Sequence, residues 1–296
     1  MTSIAGAPVV VGVDGSSSAL RAVRAATREA GYRHRPLRVV HAFVWPYLNA
    51  PVGPAPGAPP GAGLRDEADR VVREAVRVAA EVDPAVPVSA EVVTGAPGPV
   101  MVGEAQRAAL VVLGDRGLGG FTGLLVGSVA VHVAAHGTAP VLIVRGDEDG
   151  TGDVVVGVDD SAVSDHAIGF AFEEASWRHA RLVAVHAWTR PVSVAPGDML
   201  PVVYDPDEVA DEERRVLAEA LSGWRDKFPD VDVEERVVRG RPSAVLIGAA
   251  HPARLLVVGA RGRGGFAGLL LGSVSQAVLH HADCPVAIVR QPRRPG

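Results

Sequence analysis

Short apolar runs alternate along the chain with longer segments in which apolar residues recur every three or four positions. Residues 9–13 form an uninterrupted β-branched run, the pattern of a strand buried on both faces. Residues 64–82 have the spacing of an amphipathic helix. For the first half, the pattern predicts strands at 9–13, 37–42, 88–94, 110–113 and 140–145, and helices at 16–30, 64–82, 99–108 and 128–136. This alternation predicts an α/β fold, a parallel sheet with helices on both faces.

Small polar residues and glycines mark the predicted helix ends. Ser16 or Ser17 is a candidate N-cap for the first helix, and Gly31 a candidate stop. Ser128 occupies the N-cap position predicted for the last helix of this half, which Gly137 closes.

The pattern of the first half recurs in the second half. VVVGVDGS begins at Val9 and VVVGVDDS at Val154, an offset of 145 residues that every other matched stretch keeps. Such self-similarity indicates a tandem duplication. We therefore predict a first domain at residues 1–146 and a second at 152–296. The acidic, glycine-rich stretch between them is typical of a linker.

Composition narrows the function classes. The formal net charge is -5, which argues against a nucleic-acid partner. Lys227 is the only lysine, so no glycine loop here is a Walker-type phosphate loop, which ends in lysine. Cys284 is the only cysteine and suits a reducing compartment. We see no signal peptide and no apolar run long enough for a membrane span, so we predict a cytoplasmic protein without a membrane partner.

A glycine-rich loop stands before the last helix of each half. GDRGLGGFTGLLVGSV at residues 114–129 and GARGRGGFAGLLLGSV at 259–274 are identical at 12 of 16 positions. Glycines let a backbone approach phosphate oxygens, and a helix N-terminus attracts anions. The loop therefore predicts a phosphate cradle, with Arg116 adding charge in place of the missing lysine. The alternative is that the glycines only shape a tight turn.

The spacing inside the loop is distinctive. Gly114-x-x-Gly117, nine residues and Gly127-Ser128 recur as Gly259-x-x-Gly262, nine residues and Gly272-Ser273. With this signature, the VGVDGS-type opening and the PVLIVR-type closing strand, nearly the whole chain resembles the tandem form of the universal stress protein family. The resemblance implies two doubly wound domains, each a five-stranded parallel sheet in the order 3-2-1-4-5.

The resemblance also implies one ATP-binding crevice per domain, where the strand order reverses. The aspartate after the first strand is expected near the ribose and any magnesium, the backbone after the second strand near adenine, and the loop at the phosphates. The cofactor-binding residues so predicted are Gly12, Asp14, Ala42, Gly114, Gly117, Gly127, Ser128 and Val129, with Arg116, and Gly157, Asp159, Ala187, Gly259, Gly262, Gly272, Ser273 and Val274, with Arg261.

Other polar residues have plainer interpretations. Asp14 and Asp159 are also expected to accept hydrogen bonds from the following turn. His41 and His186 are expected to be packed, hydrogen-bonded side chains. His132 and His136 have metal-ligand spacing, but the second copy does not keep this pair of histidines, so we predict no metal site.

The two loops differ at Asp115 and Ala260. An acid beside a phosphate is unfavourable unless it points away, so the two sites need not bind equally and the second is favoured. No Ser/His/Asp set or positioned base stands out, so we predict a regulatory, stress-response protein with little or no catalysis. The alternatives are a slow ATPase or phosphotransferase and a protein-interaction module without nucleotide.

The last strand of each half is apolar and ends in arginine. The resemblance implies that such edge strands pair two domains, which predicts an internal pseudo-dimer, with a homodimer as a further alternative. A protein partner is expected, but the sequence does not identify it.

Overall fold

The computed structural model describes residues 6–44, 62–118, 126–146, 151–159, 161–189, 206–251, 253–262 and 270–291. The chain divides into two compact units at residues 148 and 149. The predicted loops after the second strand of each half fall mostly outside the described residues, as does most of the acidic linker.

The first unit alternates strands and helices from end to end. Its elements are β1 Val9–Gly12, α1 Ser17–Tyr32, β2 Leu37–Phe43, α2 Ala62–Val82, β3 Val88–Thr94, α3 Pro97–Ala105, β4 Leu110–Gly114, α4 Ser128–His136 and β5 Val141–Val144. The strands pair in parallel in the order β3-β2-β1-β4-β5.

The second unit repeats this plan. Its elements are β6 Val154–Val158, α5 Ala162–Trp177, β7 Leu182–Trp188, α6 Pro206–Lys227, β8 Val233–Arg239, α7 Pro242–Ala249, β9 Leu255–Gly259, α8 Ser273–His281 and β10 Val286–Val289. The order is β8-β7-β6-β9-β10, again parallel. Two doubly wound five-stranded domains of the α/β class are therefore confirmed.

Helices cover both faces of each sheet, which explains the unbroken apolar strands. Val9, Val10 and Val11 are completely buried. Because successive side chains of a strand point to opposite faces, Leu113 faces Met101 of α3 while Gly114 lies against Ser18 of α1. The carboxyl ends of β1 and β4, where the strand order reverses, are left open between these two helix layers.

The predicted stop of the first helix at Gly31 is wrong. α1 continues to Tyr32 and is capped by Arg33, and His34 takes the left-handed conformation with φ of 50°. The His34 amide donates to Gly31 O and the Arg35 amide to Ala30 O, which closes the helix end. A histidine can adopt this conformation at a modest cost, so glycine is not required here.

Arg38 joins three elements of the first unit. Its guanidinium donates to both Glu104 oxygens of α3, at 2.8 and 3.0 Å, and to Glu91 of β3 at 2.8 Å. These hydrogen bonds lower the pKa of the Glu104 carboxyl. The ion pair therefore stabilises the sheet–helix contact most while Glu104 is ionised.

We expect this pair to make the first unit weaker in acid. A carboxyl whose pKa is lowered by folding contributes its full stabilisation above its pKa in the unfolded chain, about 4.3. This contribution is lost as the pH falls through the pKa of the group in the folded chain. The free energy of unfolding in urea should fall between about pH 5 and about pH 3. This fall should be smaller in Glu104→Gln by about 1 kcal/mol or less, because the pair is partly exposed. Glu81→Gln, at an exposed ion pair of α2, is the control. Equal acid sensitivity in the parent and Glu104→Gln would refute the contribution.

Among the described residues, no helix combines the length and the apolar composition needed to cross a membrane.

Candidate nucleotide site

A cavity of about 450 Å³ opens at the carboxyl ends of β1 and β4 in the first unit. Every residue predicted for the first site lines it. The lining comprises Gly12, Val13, Asp14, Ala19, Val40, Ala42, Pro97, Met101, Leu113, Gly114, Arg116, Gly117, Gly127, Ser128, Val129 and Ala130. Segments far apart in the sequence therefore meet at one edge of the sheet.

The inner wall of the cavity is apolar. Val40 and Ala42 come from β2, Leu113 from β4 and Met101 from α3. A Cβ at Gly12 would approach Leu113 Cδ2 and Met101 to about 3 Å. The absence of a side chain at Gly12 therefore leaves room for the Leu113 and Met101 side chains that form this wall. A flat apolar ring fits such a surface.

The start of α4 forms another side of the cavity. Gly127, not Ser128 as predicted, is the N-cap: its backbone is extended with ψ of 145°, and its carbonyl accepts the Val131 amide. Ser128 is the first helical residue because the helical turn begins after Gly127. In the described structure the Ser128 hydroxyl caps no helix amide, and the first-turn amides lack intrahelical acceptors.

Asp14 joins the end of β1 to the glycine loop. Its Oδ1 accepts the Ser16 amide at 3.0 Å, the expected turn contact, and its Oδ2 accepts the Leu118 amide at 2.8 Å. Gly117 lies directly against this carboxylate, and a Cβ there would overlap Oδ2. The glycine of the signature thus serves the contact between the loop and Asp14.

Asp115 points away from the cavity. It is buried, accepts the Ser18 hydroxyl at 2.6 Å and lies 3.5 Å from Arg21 Nη2, and both of these partners belong to α1. Arg116 Nε lies 3.4 Å from the other oxygen of Asp115. Asp115 is therefore bound by side chains of α1. It also pairs with the guanidinium of Arg116, whose side chain is mostly exposed.

The second unit replaces this polar pair with apolar residues. Val163 stands at the position of Ser18 and Ala260 at that of Asp115. We expect Ser18→Val alone to destabilise the first unit by about 1–3 kcal/mol, because a buried carboxylate loses its donor. Ser18→Val with Asp115→Ala copies the second unit and should recover most of that loss in urea unfolding. Simple additivity of the two single changes would contradict the pairing.

The counterpart residues of the second unit have corresponding local geometry. Gly262 lies against Asp159 Oδ2 as Gly117 lies against Asp14. Gly272 is the N-cap of α8, so Ser273 and Val274 are its first helical residues, as Ser128 and Val129 are in α4. Gly157, in β6, faces Leu246 of α7, the position that Met101 holds in the first unit.

The remaining predicted residues of the second unit lie at the same edge of their sheet. Gly259 ends β9, and Ala187 is next to last in β7. Arg261 is exposed, and the alanine before it provides no carboxylate partner of the kind that Asp115 gives Arg116. Asp159 Oδ1 accepts the Ser161 amide at 3.0 Å, so the expected turn contact is present in both units.

The two strand histidines are packed and hydrogen-bonded, as predicted. His41 Nδ1 lies 2.7 Å from Val13 O, and His186 Nδ1 lies 2.9 Å from Val158 O. The rings of His132 and His136 stack, with centroids 4.3 Å apart. His136 Nδ1 lies 2.9 Å from His132 O, a contact within one helix.

Sequence reasoning missed Ser18 and Met101. Both could have been found by comparing the copies: Ser18 changes to Val163 where Asp115 changes to Ala260, and Met101 matches an apolar Leu246. Correlated changes between repeats therefore point to side chains in contact.

Comparison with known proteins agrees with the fold and with its repetition. The model of the Universal stress protein family matches residues 7–145 and again residues 151–290. Universal stress protein Rv2005c of Mycobacterium tuberculosis is 40% identical over 96% of this chain and 97% of its own length. The crystal structure of a universal stress protein from Archaeoglobus fulgidus matches 96% of this chain and 98% of its own, with a TM-score of 0.68 and 18% identity.

A shorter match covers 47% of this chain and 96% of its own length. It is a universal stress protein crystallised in complex with cAMP, with 32% identity and a TM-score of 0.37.

Proposed function

Since the chain belongs to the Universal stress protein family, we propose that it is an ATP-binding regulatory protein with one nucleotide site in each unit. The first site is the cavity described above. The second comprises the counterpart residues at the carboxyl ends of β6 and β9. The domain limits proposed for these two modules are residues 1–146 and 152–296.

The observation that carries the proposal is the open start of α4. Ser128, Val129 and Ala130, the first residues of α4, line the cavity, and the helix dipole places partial positive charge at this end of the helix. Gly114, Gly117 and Gly127 border it as well, so backbone rather than side chains meets the ligand on this side. Phosphate oxygens are the groups that such a cradle holds best.

The opposite wall suits the base of the nucleotide. Ala42 lies near the end of β2, beside the apolar surface formed by Val40, Leu113 and Met101. An adenine ring can lie against this surface, and the small side chain of Ala42 leaves the β2 backbone accessible to ring nitrogens. The volume of about 450 Å³ is within the range of sites for small ligands and cofactors.

Magnesium fits this site only together with the phosphates. Among the described residues that line the cavity, Asp14 is the only carboxylate, and both of its oxygens accept backbone amides. Magnesium bound through one carboxylate and substrate phosphates is a common arrangement. Bound magnesium would neutralise phosphate charge.

Little or no turnover is expected. Hydrolysis or phosphoryl transfer needs a residue that positions the nucleophile in line with the γ-phosphate. Asp14, the carboxylate among the described lining residues, is engaged by the Ser16 and Leu118 amides. Phosphate release well above background, lost in Asp14→Asn with Asp159→Asn, would instead favour a slow ATPase.

Equilibrium dialysis of the purified protein against labelled ATP with magnesium tests the proposal. We expect saturable binding that approaches two ATP molecules per chain. Absence of binding at about 1 mM ATP would contradict the proposal and favour an interaction module without nucleotide, because sites that matter in cells bind at or below such concentrations.

A further inference from the structure

The first glycine loop holds Arg116 beside the start of α4. The Gly127 amide donates to the carbonyl of Asp115 at 2.7 Å. A Cβ at Gly127 would lie 3.7 Å from Arg116 Cα, so the backbone of the arginine packs directly against the N-cap. Among the described residues that line the cavity, Arg116 is the only cation. Its guanidinium is therefore placed to reach a phosphate bound at this end of the helix.

The second loop holds Arg261 in the same way. The Gly272 amide donates to the carbonyl of Ala260 at 2.8 Å, and a Cβ at Gly272 would lie 3.4 Å from Arg261 Cα. The backbone around the arginine thus has the same relation to the N-cap in both units. A difference between the two arginines is then expected from the neighbours of their side chains.

In the first unit the neighbour of the arginine side chain is Asp115. The carboxylate is buried, at 7% exposed, and its Oδ2 lies 3.4 Å from Arg116 Nε. Its other oxygen accepts the Ser18 hydroxyl at 2.6 Å and lies 3.5 Å from Arg21 Nη2, so α1 fixes the carboxylate in place. A guanidinium binds a phosphate best through two parallel N–H groups. Because Arg116 Nε lies beside Asp115, the carboxylate occupies part of the guanidinium and offsets part of its charge.

The second unit offers Arg261 no such acid. Ala260, at 2% exposed, takes the position of Asp115, and Val163 takes that of Ser18. Arg261 is exposed and has no ion-pair partner among the described residues. Its guanidinium therefore keeps its N–H groups and its charge for a phosphate.

The two units do not differ in formal charge at these positions. Arg21, the second cation beside Asp115, corresponds to His166 in the second unit. With histidine counted as neutral, two arginines and one acid give the same charge as the single arginine of the second unit. Arg21 and Asp115 lie outside the cavity lining, whereas Arg116 lies in it. The difference is therefore that an acid offsets the cation nearest the proposed phosphates only in the first unit.

We propose that Asp115 is a positioning residue of the first site, where it holds the Arg116 guanidinium in an ion pair within the loop. As a consequence, Arg261 contributes more to phosphate binding at the second site than Arg116 does at the first. This inference rests on the proposed function, because either arginine matters only if phosphates bind at the starts of α4 and α8. Asp115 then acts through the arginine and not by facing the phosphates itself.

Binding of labelled ATP with magnesium tests the inference in the full chain. The comparison is made within each site, because the second loop carries an additional arginine, Arg263. Ser273→Asp silences the second site, so that the first is followed alone. There, Arg116→Ala should lower ATP affinity less than about twofold. In a chain with Ser18→Val and Asp115→Ala, which copies the second unit, Arg116→Ala should lower ATP affinity at least about fivefold.

The second site allows the reverse exchange. Ser128→Asp silences the first site, and Arg261→Ala should then lower ATP affinity at least about fivefold. Val163→Ser with Ala260→Asp copies the first unit and should reduce this cost to less than about twofold. Adenosine has no phosphate, so its affinity should change less than about twofold in every arginine variant.

Three results would overturn the inference. If the first site binds ATP and Arg116→Ala costs the same with and without Asp115, the inference fails and the proposed function is unaffected. If adenosine affinity falls as much as ATP affinity in the arginine variants, the arginines support the loop and do not bind phosphate. If neither site binds ATP, the proposed function fails and the inference fails with it.

Discussion

Replacing Gly117 and Gly262 together by alanine is expected to lower the affinity for ATP at least tenfold without unfolding the chain. A Cβ at either position would overlap the carboxylate of Asp14 or Asp159, because it would lie well inside the van der Waals contact distance. The aspartate or the loop must move, and either change breaks the loop–aspartate contact beside the proposed phosphate cradle. A shift of this size at a binding surface readily costs 1.4 kcal/mol, a factor of ten in affinity.

Two other glycines provide matched controls. Gly103 and Gly248 occupy equivalent positions in α3 and α7, and a Cβ at either would meet no atom within 4 Å. Gly103→Ala with Gly248→Ala should leave ATP affinity unchanged and stabilise the helices by about 0.5–1 kcal/mol each. Calorimetric titration with ATP and urea unfolding provide the two readouts. Equal affinity in both double variants would contradict the role of the loop–aspartate contact.

The largest expected effect comes from a charge at the first residue of α4 and α8. Ser128→Asp with Ser273→Asp places a carboxylate where the phosphates are proposed to bind. Two unit charges about 4 Å apart repel by roughly 4 kcal/mol near a protein surface. We therefore expect ATP affinity to fall at least about a hundredfold, after allowance for screening by salt.

The same variant separates phosphate binding from loss of structure. An aspartate in the first turn complements the helix dipole and should stabilise each helix by about 0.3–1 kcal/mol. Binding of adenosine, which has no phosphate, should change less than about threefold. Ser17→Asp lies at the first residue of α1 and outside the cavity, and it adds the same charge to the first unit as Ser128→Asp alone, for which it is the control. If ATP and adenosine weaken equally, the phosphates do not lie at these helices.

The repeat made most of the fold predictable. Because the matched stretches keep a constant offset of 145 residues, the elements predicted for one half could be compared with those of the other. The alternation of patterns indicated parallel sheets, and the resemblance supplied the strand order now seen in both units. The residues predicted for the first site meet in one cavity because loops after parallel strands gather at one sheet edge. Their part in binding nucleotide stays a prediction.

The errors concern local geometry that tertiary contacts decide. Serine is a residue type that favours the N-cap, but Gly127, with its extended backbone, is the N-cap of α4, and Ser128 lies in the first turn. Gly31 resembles a helix stop, yet α1 continues because His34 accepts the left-handed conformation instead. The direction of a side chain such as Asp115 depends on Ser18 and Arg21 from a distant segment, which no local pattern reports.

A crystal structure of the full chain grown with ATP and magnesium tests the central claim most directly. The account predicts nucleotide density in both units. Phosphate oxygens should lie within hydrogen-bond distance of the Ser128 and Val129 amides, with the base beside Ala42, and at Ser273, Val274 and Ala187 in the second unit. Cavities that stay free of nucleotide at saturating ATP, or phosphates held away from these helix starts, would contradict it.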